Sequence, residues 1–456
     1  MRFLILILLV SSVVAQNPKI KVGRTVSLVG IQAAEAVGII NGFKFGIDYI
    51  NNNTGVIING TRYDFQIITW NDASDTALVT RLYEDMINRD TVDILFGPWS
   101  TLLTGPALTV ANKFGTPIVF AGASSTQFYT SGYNNSFGLL IQAGKRSLPC
   151  MDVFAQFRPR NFAIITTDDA FQQLSINLIK SQLTSRNVSL IYNITVPREA
   201  LIFDDITKEL NDIRPEILIL GLPITPIIPF LTSLRKYKWD PAALYTTNSE
   251  SAKLAYDALG WPADGFFAGN QWASSLNYLD PIFNSASGFA DTYKTTTGRT
   301  PNYLDAASAI SAFIMKDAIE RADSLEPIDI ITALKSTSLN ETFFGPITFL
   351  PSGEVSLVGI CEQIQPVSGS TNETERALYS VGPSQLAISD VIYPAYPIRP
   401  PPPPPLSYRQ KLGLGLGLGL GIFALIIIII IVVIVLQKFH ILFLTKDGLS
   451  MGKDTW

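Results

Sequence analysis

Two turns rich in hydroxyl side chains carry the residue types best suited to binding a ligand. Ser100-Thr101 and Ser124-Ser125 each follow a short apolar stretch that predicts a strand, and each precedes a predicted helix. Both turns therefore leave the same edge of a parallel sheet, where helix N-termini offer unpaired N–H groups to an anionic or polar group. The same hydroxyls are also common helix caps. We expect a ligand pocket at this edge, with simple capping as the alternative.

Groups that could perform catalysis are scarce. The single histidine, His440, follows a long apolar segment near the C-terminus, and neither a Gly-x-Ser-x-Gly elbow nor a phosphate-binding loop occurs. Asp168-Asp169 and Asp204-Asp205 are adjacent pairs whose side chains point apart, which is typical of helix caps and solvated charges. We therefore expect a protein that is not an enzyme and that uses no cofactor and no metal ion.

The overall charge narrows the class of partner. The 456 residues carry a formal net charge of −4, and basic residues form no patch interleaved with aromatic ones. Nucleic acid is therefore not an expected partner. The length allows two lobes with further segments at the ends.

Apolar segments near both ends point to the cell surface. Residues 1–15, MRFLILILLVSSVVA, combine one arginine, an apolar run and small residues, which is the pattern of a secretory signal peptide. Residues 412–436 carry no charge and end in a β-branched run, which is typical of a transmembrane helix in a lipid bilayer. The expected location is the plasma membrane, crossed once. The N-terminal ectodomain would lie outside, with residues 437–456 as a cytoplasmic tail.

The segment before the predicted span is rich in proline. Residues 393–411 include six consecutive prolines, which favour polyproline II and predict a stiff extracellular stalk. Within the span, Gly413, Gly417 and Gly421 lie four residues apart, a spacing that lets two helices approach closely. A homodimer formed through this face is one hypothesis.

The predicted topology also bears on the cysteines and on glycosylation. Cys150 and Cys361, the only two cysteines, both precede the span and would meet an oxidising compartment. One disulfide is therefore expected, although spacing alone leaves two buried free thiols as the alternative. Seven Asn-X-Ser/Thr glycosylation acceptors also precede the span, as an extracellular domain requires: Asn52, Asn59, Asn134, Asn187, Asn193, Asn340 and Asn372.

Strands and helices alternate through two separate stretches. The first stretch ends near residue 141, and the alternation restarts after residue 142 with predicted strands near 162–166, 188–194, 216–221, 242–246 and 265–269. Alternating elements of this length indicate βαβ units and mostly parallel sheets. The restart predicts two α/β lobes rather than one long sheet.

The order of these motifs resembles the ligand-binding region of type I periplasmic binding proteins. That family includes leucine/isoleucine/valine-binding proteins and the ectodomains of metabotropic glutamate and natriuretic-peptide receptors. The resemblance covers about residues 18–370 and rests on GFKFGIDYINNNTGVIING, IITWNDASDTALVTRLYEDMI, VDILFGPWST, FGTPIVFAGASS, NFAIITTDDAF and FFGPITFLPSGEVSLVGI. It implies two doubly wound parallel sheets in two lobes, joined by three crossovers, with a ligand cleft between them. The implied bounds are 17–141 and 270–343 for lobe 1, 142–269 and 344–392 for lobe 2, and 142–145, 269–272 and 343–345 for the crossovers.

The resemblance also implies roles for particular side chains. In amino-acid-binding members, hydroxyls and amides of the first two turns hold the ligand carboxylate, a role that would fall to Ser100, Thr101, Ser124 and Ser125. An aromatic residue of lobe 2, usually Tyr in an Asp-x-x-Tyr-Gly pattern, closes over the ligand. This chain has Phe171 there, followed by Gln, which removes a hydroxyl donor and makes the wall more apolar.

Two further residues are candidates for the cleft. Glu250 corresponds to the acid that pairs with the ligand ammonium in some members, although an acid in the first turn of a helix is also favoured by the helix dipole. Trp99 is expected either to wall the cleft or to lie in the core. The implied ligand is amino-acid-like or another small polar molecule.

Together these features predict a cell-surface receptor or sensor that binds a small extracellular ligand and signals by hinge closure. Related receptor ectodomains are followed by cyclase, kinase or seven-helix domains, whereas residues 437–456 alone follow the predicted span. Output through a separate signalling subunit is one expectation. A decoy or co-receptor, or a fragment of a receptor cyclase or kinase, is the alternative.

Overall fold

The computed structural model describes residues 17–395, apart from gaps at 238–239, 248, 260–264, 368–369 and 371–374. The predicted signal peptide, membrane span and cytoplasmic tail lie outside the described residues, as does the predicted stalk after residue 395. Across the described ranges, no helix combines the length and the apolar character needed to cross a bilayer.

The first part of the chain builds a six-stranded sheet with helices between its strands. The elements are β1 (Lys19–Val26), α1 (Val37–Asn52), β2 (Val56–Ile58), β3 (Thr61–Asn71), α2 (Thr76–Asn88), β4 (Ile94–Phe96), α3 (Thr101–Phe114), β5 (Ile118–Phe120), α4 (Thr126–Thr130) and β6 (Ser136–Gly138). The strand order is β2-β3-β1-β4-β5-β6, and every neighbouring pair is parallel except β2 with β3. The carboxyl ends of β4 and β5 therefore lie side by side at one edge.

The next part of the chain forms a second parallel sheet. Its elements are α5 (Ala143–Arg146), α6 (Leu148–Gln156), β7 (Asn161–Thr167), α7 (Ala170–Ser185), β8 (Ser189–Val196), α8 (Asp204–Ile213), β9 (Ile217–Gly221), α9 (Ile224–Leu234), β10 (Ala243–Thr246), α10 (Ser249–Leu259) and β11 (Phe266–Asn270). The parallel order is β11-β10-β9-β7-β8. Two separate sheets confirm the prediction of two α/β lobes.

The chain then returns to lobe 1 before it ends in lobe 2. The returning elements are β12 (Leu279–Asp280), β13 (Asn284–Ser285), α11 (Ala286–Thr297), α12 (Tyr303–Ala322), α13 (Pro327–Lys335), β14 (Ser338–Leu339) and β15 (Ile347–Thr348). Finally, β16 (Ile360–Pro366) and β17 (Arg376–Gly382) add two antiparallel strands to the β11 edge of lobe 2.

Helices α1 and α12 pack unusually closely over the sheet of lobe 1. A Cβ atom built on Gly42 would lie 2.2 Å from the carbonyl oxygen of Asp305, and one on Gly46 would lie 2.6 Å from that of Ala309. Beneath α1, the ring of Phe43 stacks on Phe96 of β4, with centroids 4.0 Å apart. Glycine is thus required on α1 because the backbone of α12 occupies the space of a side chain.

Three crossovers join the lobes, and the third lies later than predicted. The first two pass near residues 141–147 and 270–272, whereas the predicted third crossover at 343–345 falls inside lobe 1. Phe343, Phe344 and Ile347 are buried in the lobe 1 core, because β15 pairs with β14. Val355 also donates its N–H to the carbonyl of Gly138 in lobe 1. The third crossing is therefore at 356–359, and residues 344–355 belong to lobe 1 rather than lobe 2.

The last described residues correct the predicted start of the stalk. The ring of Tyr393 stacks on Phe157 with centroids 4.3 Å apart, and Ala395 is buried beside Gly265. Residues 393–395 therefore pack on lobe 2.

The structure joins Cys150 on α6 to Cys361 on β16 in a disulfide within lobe 2, with their Cα atoms 4.8 Å apart. It thus favours the disulfide over the alternative of two free thiols. Six glycosylation acceptors have exposed asparagines, which leaves glycosylation a prediction that the surface allows: Asn52, Asn59, Asn134, Asn187, Asn193 and Asn340. Asn372 lies outside the described residues.

Candidate functional site

A cavity of about 470 Å³ lies between the two lobes. Its walls come from residues within 31–38, 99–102, 122–124 and 299–304 of lobe 1 with Leu140, from 169–172, Arg198, Pro223 and Leu254 of lobe 2, and from Arg146 at the first crossover. Cavities of this size hold small organic molecules. The cavity is therefore the candidate ligand site.

The first hydroxyl turn contributes Trp99, Ser100 and Thr101 to the cavity. Ser100 also begins α3, because its Oγ accepts a hydrogen bond from the N–H of Leu103 at 3.4 Å. Its backbone N–H donates to the carbonyl of Gly122 at 3.0 Å, which ties the first turn to the second. Its φ of +78° is rare for a residue with a side chain and is the kind of backbone strain found at functional sites. Ser100 thus caps a helix and lines the cavity at once.

The second hydroxyl turn divides its two serines between different tasks. Ser124 lines the cavity and is 2% exposed. Ser125 is absent from the lining, and its Oγ accepts from the N–H of Gln127 at 3.3 Å as the cap of α4. The backbone of Ser125 is extended, so adjacent side chains point to opposite sides. The structure therefore corrects the prediction for Ser125, which serves the capping role that the sequence left as the alternative.

Lobe 2 contributes the start of α7 to the cavity. Phe171 lines it, as do Asp169 and Gln172, whereas Asp168 is not part of the lining. Asp169 caps the helix, since its Oδ1 accepts from the N–H of Gln172 at 3.2 Å. The side chain of Gln172 is held in turn by the hydroxyl of Thr247, which donates to its Oε1. The Phe171 ring is thus presented on a well-fixed helix start.

Glu250 belongs to α10, but its side chain lies outside the described residues. Leu254, one helical turn later, lines the cavity. The role of Glu250 as an ammonium partner stays a prediction.

Arg146 is the functional candidate that the sequence did not reveal. It follows the predicted first crossover by one residue, lines the cavity and is only 1% exposed. Its guanidinium carbon lies 4.7 Å from the ring centre of Tyr303 in lobe 1 and 5.7 Å from that of Phe171 in lobe 2. Its Nε, Nη1 and Nη2 atoms are buried without any hydrogen-bond partner in the described structure. The signal available in the sequence was a charged residue directly after a predicted crossover.

A second arginine links the lobes at the cavity. Arg198 of lobe 2 donates from Nη2 to Glu35 Oε1 of lobe 1 at 3.1 Å, and its Nη1 lies 3.9 Å from Asp169 Oδ2. Burial raises the pKa of Glu35, and the attraction of Arg198 only partly offsets this shift. The indole N–H of Trp99 approaches the same carboxylate without reaching hydrogen-bond geometry. The acids of this group are therefore already paired with a cation.

The chemistry of the lining favours binding. Polar donors and an unpaired guanidinium meet aromatic and aliphatic walls, a combination that orients a small molecule. Among the residues that the structure describes, no group of three or more His, Cys, Asp or Glu is arranged to hold a metal ion.

The fold and the cavity define a class of protein, namely a two-lobed α/β protein with a ligand-sized cleft at its hinge. The chain belongs to the periplasmic binding protein family, whose model matches residues 19–355. This finding confirms the family resemblance of the sequence.

Solved structures share the fold at low sequence identity. A solute-binding protein of an ABC transporter from Rhodopseudomonas palustris, in complex with 3,4-dihydroxybenzoic acid, is 18% identical and superposes with a TM-score of 0.65 over 79% of this chain and 97% of its own. The leucine-binding protein LivK of Thermotoga maritima is 13% identical, with a TM-score of 0.65 over 79% and 98%. LivJ of Streptococcus pneumoniae, in complex with isoleucine, is 16% identical, with a TM-score of 0.64 over 80% and 100%.

Proposed function

We propose that the chain is a single-pass cell-surface receptor or sensor that binds a small extracellular ligand between its lobes and signals by hinge closure. The observation that carries the proposal is a cavity lined by both lobes at once. A ligand that touches both walls binds the closed form better than the open form, and it shifts the equilibrium by that difference in affinity. The similar structures hold isoleucine or 3,4-dihydroxybenzoic acid, and we extend this size of ligand to the present cleft.

The membrane part of the proposal rests on the sequence. Residues 1–15 and 412–436 have the patterns of a signal peptide and a transmembrane helix, which together favour an external ectodomain. Delivery of a solute to a transporter, the role stated for the similar structures, is the second candidate. A decoy or co-receptor, or a fragment of a receptor cyclase or kinase, is the third. We also propose that the chain is not an enzyme, because its only histidine is His440.

Ligand binding is tested with the purified full chain and a library of amino acids, small amides and small organic acids. A ligand at one hundred times its dissociation constant adds about 2.7 kcal/mol to the free energy of unfolding, which is readily seen as a thermal shift. Ser124→Ala is expected to weaken a ligand found in this way, whereas Ser125→Ala is the matched control outside the cavity. Equal effects of the two variants would contradict the assignment of the cleft.

Membrane attachment is tested by expressing the full chain with a C-terminal tag in eukaryotic cells. The tag is expected in the carbonate-resistant membrane fraction and protected from protease outside intact cells. A variant lacking residues 412–436 is the control and should be secreted. Secretion of the unaltered chain would favour the solute-binding candidate over the receptor.

A further inference from the structure

Arg146 is a buried cation that has no acidic partner and no hydrogen bond from its guanidinium among the described residues. Three arginines line the described part of the cavity, and two of them face acids: Arg198 pairs with Glu35, and Arg299 lies 3.5 Å from Asp305. Arg146 has no acid partner among the described residues, and its three nitrogens make no hydrogen bond there. A buried charge is costly unless it is paired and hydrogen-bonded. A ligand bound in the cavity can supply such a partner.

The two rings beside Arg146 leave its N–H groups available. Tyr303 and Phe171 interact with the cation through their faces, and a ring face cannot satisfy five N–H donors. The planar fork of a guanidinium matches the two oxygens of a carboxylate. Since one ring comes from each lobe, this arrangement is complete only while the lobes are together.

Exposure along the cavity wall indicates which way round such a ligand lies. Arg146 and Ser124 are 1% and 2% exposed, so they lie at the closed end. Ile31, Leu102 and Leu254 are 73%, 54% and 38% exposed, so they lie at the mouth. A ligand with a polar end and an apolar body would therefore place its polar end at the closed end of the cavity and its apolar body at the mouth.

The size and charge of the site narrow the class further. A cavity of about 470 Å³ is far larger than a simple inorganic anion needs. A doubly charged ligand would need a second unpaired cation, and the described lining contains none besides Arg146. We infer that the cleft binds a monocarboxylate with an apolar body, head first, with its carboxylate on the Arg146 guanidinium. This inference rests on the proposed function, because it names the ligand class of the same cleft.

The test compares each acid with its own neutral amide on the purified full chain. The probes are hexanoate, 4-methylpentanoate, benzoate and phenylacetate, each at about 10 mM beside its primary amide, with thermal shift and calorimetry as the readouts. At least one acid is expected to bind, and its amide is expected to bind at least about 30-fold more weakly, the ratio that corresponds to losing one partner of a buried charge pair. Acid and amide binding equally, or no acid binding, would overturn the inference.

Substitutions of Arg146 test whether this side chain causes the preference for the acid over its amide. Arg146→Gln should lower the affinity for the acid about 30-fold or more and abolish the preference over the amide, whereas Arg146→Lys should keep a weaker preference. Arg160→Gln removes the same charge from an 83% exposed side chain outside the cavity. It should change neither the affinity for the acid nor the preference over the amide. Retention of the acid preference in Arg146→Gln would overturn the inference.

The melting temperature without ligand tests separately whether the guanidinium of Arg146 is unpaired in the folded protein. Arg146→Met keeps the apolar stem and removes the unpaired charge, so the melting temperature of the unliganded protein should rise or stay unchanged. A clear fall would show that the guanidinium is already satisfied and would also overturn the inference. Cleft binding of neutral probes that Ser124→Ala weakens would leave the proposed function standing while the role of Arg146 falls.

Discussion

Arg198 of lobe 2 and Glu35 of lobe 1 form an ion pair across the cleft, with Nη2 3.1 Å from Oε1. Their side chains are 30% and 28% exposed, so water screens the attraction. The contact adds to the three crossovers and to the packing of α3 on α7, which also connect the two lobes. The pair therefore biases the hinge towards an arrangement with the lobes in contact, without fixing it.

Neutralising this pair is expected to cost little stability. In a double-mutant cycle of Glu35→Gln and Arg198→Gln, the coupling in the free energy of unfolding should stay below about 1 kcal/mol and shrink at high salt. The pair of Lys44 and Asp48 on α1 is a control within one lobe, for which about 0.3–0.5 kcal/mol is expected. A cross-cleft coupling of several kcal/mol that ignores salt would contradict this view.

The pH dependence of stability should reveal the environment of Glu35. Its pKa is raised above the ordinary value of 4.5 by burial, against the opposing attraction of Arg198. The stability from this group is therefore full below the unfolded pKa and is lost as the pH rises through the folded pKa. Glu35→Gln should gain free energy of unfolding relative to the parent between about pH 4 and pH 7, measured by urea unfolding.

Glu216 provides a control, because its pKa is shifted in the opposite direction from that of Glu35. Burial alone would raise its pKa, but hydrogen bonds from Arg160 and Tyr393 outweigh burial and lower it. Its stabilisation is thus present above the unfolded pKa and lost as the pH falls through the folded pKa. Glu216→Gln should lose stability relative to the parent as the pH rises from about 3 to about 5, and the difference should stay constant at higher pH. Parallel profiles for the two variants would refute the assigned environments.

Three glycines on one face of α1 offer a graded test of helix packing. An added Cβ would lie 3.1 Å from Leu304 at Gly38, 2.6 Å from Ala309 at Gly46 and 2.2 Å from Asp305 at Gly42. Each change to alanine brings the same gain in helix propensity, so differences between them report contact alone. We expect Gly38→Ala within about 1 kcal/mol of the parent and Gly42→Ala at least about 2 kcal/mol less stable, with Gly46→Ala between. Chemical denaturation measures the order, and any other order would contradict the close packing.

Removing the disulfide should destabilise lobe 2 strongly. Cys150 and Cys361 are 211 residues apart, and closing a loop of that length in the unfolded chain is worth about 5 kcal/mol in the chain-entropy model. Cys150→Ala with Cys361→Ala is therefore expected to lose about 3–5 kcal/mol of unfolding free energy. Dithiothreitol should lower the melting temperature of the parent and leave the double variant unaffected. A parent that is insensitive to reductant and equal to the double variant would count against the bridge.

The lobes were predictable because their signals are local. Apolar periodicity and the turns at Ser100 and Ser124 follow from neighbours along the chain. The third crossover was misplaced because residues 347–348 look like a strand of either lobe, and only pairing with β14 decides between them. Arg146 was missed because its importance lies in distances to Phe171 and Tyr303, which are remote in the sequence. The role of Ser125 depended on which way one extended residue faces.

The packing of residues 393–395 on lobe 2 has a mechanical consequence. Tyr393 donates to Glu216 at 2.8 Å, and the N–H of Ala395 donates to the carbonyl of Ala242 at 2.7 Å, so the chain leaves its last described residue from lobe 2. Whatever follows is tethered to that lobe. A rotation of lobe 1 therefore leaves residues 393–395 in place, whereas a rotation of lobe 2 moves these residues with it.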